Sequence, residues 1–284
     1  MATITNQAAL SYNGITTLSN IAVGELVEVL TATKTAADET YVAGGVKTFA
    51  LSLVNSGAAA LTGLTVTDTL GSYTFGENTL YPMTYAVGSL LYYVNGALQA
   101  TPTVAATAPL TITGISIPAG GSAMLIYSAA VNEYAPLGVE DSITNTATIT
   151  GGGLAAPVTA TETINASTAP RLSISKSLCP TAVAENGTLT YTLTLQNQGN
   201  TAADAGDELV ITDTFDPVLK DLTVRFNGAV WTEGVHYTYD AATGAFATVV
   251  GALTVPAATF TQDAATGVFA VDPGTAQLVI SGTL

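Results

Sequence analysis

Apolar and polar residues alternate along most of the chain. Thr48-Phe49-Ala50-Leu51-Ser52-Leu53-Val54, Leu64-Thr65-Val66-Thr67, Leu189-Thr190-Tyr191-Thr192-Leu193-Thr194-Leu195 and Leu209-Val210-Ile211-Thr212 each show the two-residue period of a half-buried strand. Almost nothing follows a helical period. The runs are short and broken by Gly, Asn-Gly and Asp-rich turns, which predicts an all-β fold of the sandwich or barrel kind. Asn95-Gly96 and Asn227-Gly228 are expected hairpin turns. Asp240-Ala241-Ala242-Thr243-Gly244 and Asp263-Ala264-Ala265-Thr266-Gly267 read as tight turns; their acids invite calcium, but the ligand density is too low for such a loop.

The alternating segments fall into two repeats. From Lys34, Gly45, Phe49, Asn55 and Gly57 follow at offsets 11, 15, 21 and 23; from Lys176, Gly187, Tyr191, Asn197 and Gly199 follow at the same offsets. Thr67-Asp68-Thr69-Leu70 then matches Thr212-Asp213-Thr214-Phe215, and Gly121 to Tyr127 matches Gly274 to Ile280. The first repeat runs on into a closing strand, Ser142-Ile143-Thr144-Asn145-Thr146-Ala147-Thr148-Ile149-Thr150. The second reaches Leu284 opposite Val131, without such a phrase. The phrase stands instead at the front of the chain, as Thr3-Ile4-Thr5-Asn6-Gln7-Ala8-Ala9-Leu10-Ser11-Tyr12. The expectation is a two-repeat unit cut before its last strand, with that strand moved to the start. Residues 1–27 would form a donor-strand arm, 28–166 a first sandwich and 167–284 a second sandwich short by one strand.

Composition narrows the function. Of 284 residues 48% are hydrophobic and 10% charged, too apolar for a disordered chain, and the length suits two domains. Six basic against 21 acidic residues leave a net charge of −15, which argues against nucleic acid and anionic membrane as partners. No apolar run is long enough to span a bilayer, and no signal peptide is read at Met1-Ala2-Thr3-Ile4. Cys179 is alone, so it is either a buried small residue or a contact between molecules. His236 and Trp231 are single too. No nucleophile is paired with a histidine and no metal-ligand cluster appears, so neither a cofactor nor an enzyme turning over an external substrate is expected.

Strand parity assigns faces. Leu30, Ala32 and Lys34 share one, as do Leu172, Ile174 and Lys176. Leu64, Val66 and Asp68 share another, matched by Leu209, Ile211 and Asp213. Ile143, Asn145, Ala147 and Ile149 share a third, repeated by Ile4, Asn6, Ala8 and Leu10. Each set puts a Lys, an Asp or an Asn on an apolar face, and two of only four lysines are so placed. Burying them unpaired is expensive. A Lys–Asn isopeptide bond would remove that cost: in an apolar site the amine tends to be neutral and nucleophilic, and a protonated Asp can polarise the carboxamide and pass a proton to departing ammonia. The alternative is a Lys snorkelling to solvent beside an Asp, with the Asn in turn hydrogen bonds.

The run Lys…Gly…Tyr-Thr-Leu…Asn-Gln-Gly-Asn…Ile-Thr-Asp-Thr, closing with Ile-Thr-Asn-Thr-Ala-Thr, resembles the repeat of Gram-positive surface proteins catalogued as "domain of unknown function eleven". That repeat is similar to the isopeptide-forming sandwich domains of pilins and adhesins, and occurs in subunits of clostridial spore appendages. The resemblance implies two tandem Ig-like, isopeptide-type sandwiches, with Lys34 or Lys176 as nucleophile and Asp68 or Asp213 as the acid. Lys34 and Asn145 would join within the chain, and Lys176 and Asn6 between chains. The expected function is a structural subunit of an extracellular fibre, a spore appendage or pilus-like filament on a bacterial cell or spore surface. Its partner would be further copies of itself, head to tail, and its only chemistry autocatalytic bond formation. The competing reading is a stalk or adhesin module of a cell-surface protein with a loop-borne ligand site.

Overall fold

The computed structural model describes residues 2–284, without the side chains of Ala2 and Leu26. The chain is all-β, and its residues form two compact units, 1–132 with 143–164 and 133–142 with 165–284. No helix among the described residues is long and apolar enough to cross a membrane.

The arm is not a single extended strand. It comprises β1 (Ala2–Asn6), β2 (Ala9–Tyr12), β3 (Ile15–Leu18) and β4 (Ala22–Leu26). β1 pairs with β4 and β2 with β3, both antiparallel, so the arm is one interrupted hairpin. Asn13 and Gly14 turn it with φ of 44° and 79°, the left-handed pair that a two-residue hairpin turn of matching twist requires. Ile4, Leu10, Tyr12, Ile15, Ile21 and Val23 are all exposed on it.

The first unit continues with β5 (Leu30–Ala36), β6 (Thr40–Tyr41), β7 (Val46–Asn55), β8 (Leu61–Asp68), β9 (Tyr73–Phe75), β10 (Asn78–Leu80), β11 (Met83–Tyr85), β12 (Leu91–Val94), β13 (Ala97–Leu98), β14 (Thr103–Thr107), β15 (Leu110–Ile117), β16 (Ser122–Val131), β17 (Ser142–Gly151) and β18 (Val158–Ala166). One sheet runs β13-β12-β16-β7-β5, with β11 also on β16; the other runs β14-β15-β8-β17-β18-β6. Alternate residues are buried on each long strand: Phe49, Leu51 and Leu53 of β7, Leu125 and Tyr127 of β16, Leu64 and Val66 of β8. Pairing needs this alternation, because a slip of one residue would turn the apolar set outward.

The second unit contains β19 (Leu172–Cys179), β20 (Thr188–Asn197), a short 3-10 turn (Ala205–Asp207), β21 (Thr212–Thr214), β22 (Lys220–Phe226), β23 (Ala229–Trp231), β24 (Tyr237–Asp240), β25 (Ala245–Thr248), β26 (Thr259–Gln262), β27 (Phe269–Asp272) and β28 (Gly274–Thr283). Its larger sheet, β19-β20-β28-β22-β23, repeats the order β5-β7-β16-β12-β13. The register repeats as well: Phe49 faces Tyr127 as Tyr191 faces Ile280. A core of Leu193, Leu278, Ile280, Phe215, Phe246 and Val224 packs beneath it. The smaller sheet stops short. β21-β25-β24 corresponds to β8-β15-β14, but no described strand takes the place that β17 has beside β8.

Asn95-Gly96 and Asn227-Gly228 turn the β12–β13 and β22–β23 hairpins with positive φ at both residues. Asp240 and Asp263 accept hydrogen bonds from the backbone and threonine of their own turns, which lowers both carboxyl pKa values. Cys179 is exposed, so the buried alternative fails. His236 stacks on Trp231 at 5.3 Å between ring centroids and accepts a hydrogen bond from the Thr232 amide through Nδ1.

Candidate functional site

Lys34, Asp68 and Asn145 are buried on β5, β8 and β17, in the apolar interior. Lys34 Nζ lies 2.5 Å from Asp68 Oδ2, with the two side chains 0% and 1% exposed. The amine also lies over the rings of Phe49 and Tyr127, 5.1 and 5.9 Å from their centroids. Burial pushes the Lys34 pKa down, against the charge and hydrogen bond of Asp68 and the charge of Glu162, which hold it up. A lowered pKa enlarges the neutral, nucleophilic fraction of the amine.

Strand pairing brings Asn145 to the same place. Ala147 faces Asp68 across the β8–β17 ladder, and the Thr69 amide donates to the Thr146 carbonyl. Asn145 Oδ1 accepts from the Thr69 hydroxyl at 3.3 Å and the Gly71 amide at 3.2 Å. Its Nδ2 has no hydrogen-bond partner, and among the described residues it is the buried side-chain polar atom left in that state. Such an atom carries a desolvation cost that needs an explanation. The carboxamide is thus held by its oxygen while its nitrogen is left free.

Three contributors were not read from the sequence. Tyr127 donates its phenol proton to Asp68 Oδ2 at 2.5 Å; its own pKa is raised well above the usual tyrosine value, by burial first and by Asp68 next. The Asn145 side chain is close enough to oppose that rise, yet its Nδ2 finds no acceptor in bonding geometry. Thr69 and Gly71 supply the donors to Oδ1. Gly71 has φ of +73°, and a Cβ there would stand 2.2 Å from Ile143 Cγ2, so only glycine brings this amide so close. The inward parity of Tyr127 was a usable signal, because a buried phenol needs a partner.

The second unit holds the same pair in a different state. Lys176 Nζ is hydrogen-bonded to Asp213 Oδ2 and lies 4.5 Å from the Tyr191 ring centroid and 5.4 Å from that of Phe215. Here the side chains are 39% and 17% exposed. Ile174 beside it is 56% exposed. β21, which carries Asp213, pairs only with β25 among the described residues. Asn6 is exposed in the arm, opposite Ala22. The chain therefore contains one enclosed Lys–Asp–Asn set and one open Lys–Asp pair.

No protein-family profile matches the chain, and no curated protein is similar to it, so the resemblance to the surface repeat rests on its motif residues alone. Solved structures are similar only at low scores. The major pilin subunit BcpA of Bacillus cereus is 12% identical with a TM-score of 0.35, over 96% of this chain and 73% of that one. The pilus backbone RrgB of Streptococcus pneumoniae is 11% identical with a TM-score of 0.34, over 86% and 55%. A family 123 glycoside hydrolase of Clostridium perfringens is 8% identical with a TM-score of 0.30, over 50% and 28%. The chain thus spans less than two thirds of the length of the last two. Pilins and a hydrolase score alike, so these likenesses assign no function.

Proposed function

We propose that this chain is the repeating subunit of an extracellular fibre, of spore-appendage or pilus type, assembled head to tail by donor-strand exchange. The observation that carries the reading is the pairing of an open site with its missing piece. Among the described residues β21 has an unpaired edge beside the open Lys176–Asp213 pair, and an exposed arm carries the phrase that fills the same place beside Lys34–Asp68. Unpaired strand edges recruit strands, and an added strand gains both backbone hydrogen bonds and pockets for alternate side chains. Ile4, Asn6, Ala8 and Leu10 of one copy would take the places of Ile143, Asn145, Ala147 and Ile149 in the second unit of the next. A contact between two different surfaces that does not close on itself propagates as a filament.

The same reading gives each site one covalent step. Lys34 passes a proton to Asp68, and the neutral amine attacks the Asn145 side-chain carbonyl carbon. The oxygen that becomes negative already faces the Gly71 amide and the Thr69 hydroxyl, donors of the kind that stabilise a tetrahedral intermediate. Asp68 gives its proton to the departing nitrogen, which leaves as ammonia, and takes the extra proton from the attacking nitrogen, so a C–N bond to Lys34 replaces the C–N bond to the amide nitrogen and Asp68 ends protonated. Tyr127 holds Asp68 in place. Asn6 of a neighbouring copy would serve Lys176 and Asp213 in the same way, making the joint covalent.

Negative-stain microscopy with detergent gels tests this. Purified protein should form fibres that persist as a ladder after boiling in detergent, and removal of residues 2–12 should leave monomers. Fibres that form without residues 2–12 would refute strand exchange. Wild-type fibres that fall apart in detergent would refute only the covalent joint.

A further inference from the structure

We infer that the arm docks as a two-stranded hairpin: its return strand β3–β4 seats in the second unit of the next copy, beside the donor strand. This rests on the strand-exchange reading above. The model for the seat is the β17–β18 pair. Thr144 and Thr146 meet Thr163 and Thr161 through hydroxyl hydrogen bonds of 3.0 Å, which puts Glu162 opposite Asn145. β18 then closes the seam between the sheets, because Glu162 Oε1 accepts the Ala36 amide of β5 at 3.3 Å. A single donor strand would satisfy β21. It would supply no counterpart of β18, and β19 is open, with Leu172 42% and Ile174 56% exposed against 3% for Leu30 in the first unit.

The arm pairs its strands in the same order, with smaller side chains: Ala22 stands opposite Asn6, where Glu162 stands opposite Asn145, and Gly24 stands opposite Ile4. Ser11 and Thr16 form a cross-strand hydroxyl pair at 2.9 Å, a bond of the same kind at another place, since Thr5 and Gln7 align with Thr144 and Thr146. Between the two halves of the hairpin, Gln7-Ala8 face Ser19-Asn20-Ile21, so the extra residue lies in the return strand. A bulge bends the strand that contains it and leaves its partner's alternation intact. Ser19 holds the bulge, its amide donating to the Ala8 carbonyl and its Oγ accepting the Ala8 amide. Ile4, Asn6, Ala8 and Leu10 therefore stay on one face across the break, with Ala22 and Ile15 beside them. An exposed hairpin with an apolar face is marginal alone and gains its stability by docking.

The test uses full-length chains. Residues 13–26 are replaced by a Gly-Ser run of equal length, in an Asn6→Ala background where no covalent joint can hold fibres. The hairpin predicts an assembly concentration raised about tenfold or more by the Gly-Ser run. An unchanged assembly concentration overturns hairpin docking while strand exchange stands. Assembly that survives loss of residues 2–12 overturns both.

Discussion

Replacing Asn145 by alanine separates a covalent first unit from a merely well-packed one. Without a bond, the substitution removes two long hydrogen bonds to Oδ1, worth about 1 kcal/mol each, and also a buried amide nitrogen that has no partner. Those effects oppose each other, and with the Gly71 amide left unpaired the net loss is about 2 kcal/mol at most. With a Lys34–Asn145 bond, the same change also opens a loop of roughly 110 residues in the unfolded chain, which the loop-entropy relation values at about 4.7 kcal/mol. For a unit of this size each kcal/mol moves the melting temperature by about 2–4 °C, so losing the cross-link lowers it by about 10–20 °C, against under about 8 °C for the hydrogen bonds alone. Calorimetry reads the shift and intact-mass spectrometry reads the bond, since wild type should be lighter by at least one ammonia and Asn145→Ala should lack that loss at this site. A wild-type mass matching the sequence, with a melting shift below about 8 °C, refutes the reasoning.

Three further outcomes follow from the geometry. Thr69→Val removes one donor to the forming oxyanion; losses of such donors cost about 10²–10³ in rate, and at 3.3 Å a slowing of about a hundredfold or less is expected in a time course of mass, with Thr69→Ser restoring it. In Asn145→Ala, Lys34 keeps a titratable amine with a pKa lowered by burial, so between that value and the ordinary lysine value the unfolded chain binds more protons. Stability of that variant should rise with pH through this window and fall as pH drops through the folded pKa; denaturant titrations of wild type, whose amide does not titrate, should lack the slope. Leu10→Asp leaves the free subunit as stable as wild type because Leu10 is exposed, but prevents fibre growth by bringing a charge to a place that is buried at Ile149. Light scattering and a melting curve check both halves.

Period-two alternation located Lys34, Asp68 and Asn145 on inward faces, because parity is a property of the strand itself. Parity does not say what covers a face. It placed Lys176 and Ile174 inward too, and they are open because the strands that would cover them are not supplied by the described residues beside β21. Tyr127 and Gly71 were missed for another reason. Their roles depend on which sheets stack: the inward parity of Tyr127 implies a buried phenol in need of a partner, but not that the partner is Asp68. The arm's hairpin is legible in Asn13-Gly14 between alternating runs, a turn that the repeated phrase taken by itself does not include.

The joint between Lys176 and Asn6 of neighbouring copies is the most direct point to test. Protein assembled into fibres should be digested with a protease and the peptides weighed. The expected product is a branched peptide in which Lys176 of one copy is joined to Asn6 of another, one ammonia lighter than the two peptides together, and missing from Asp213→Ala. Recovery of the Lys176 and Asn6 peptides unjoined from intact fibres would contradict it.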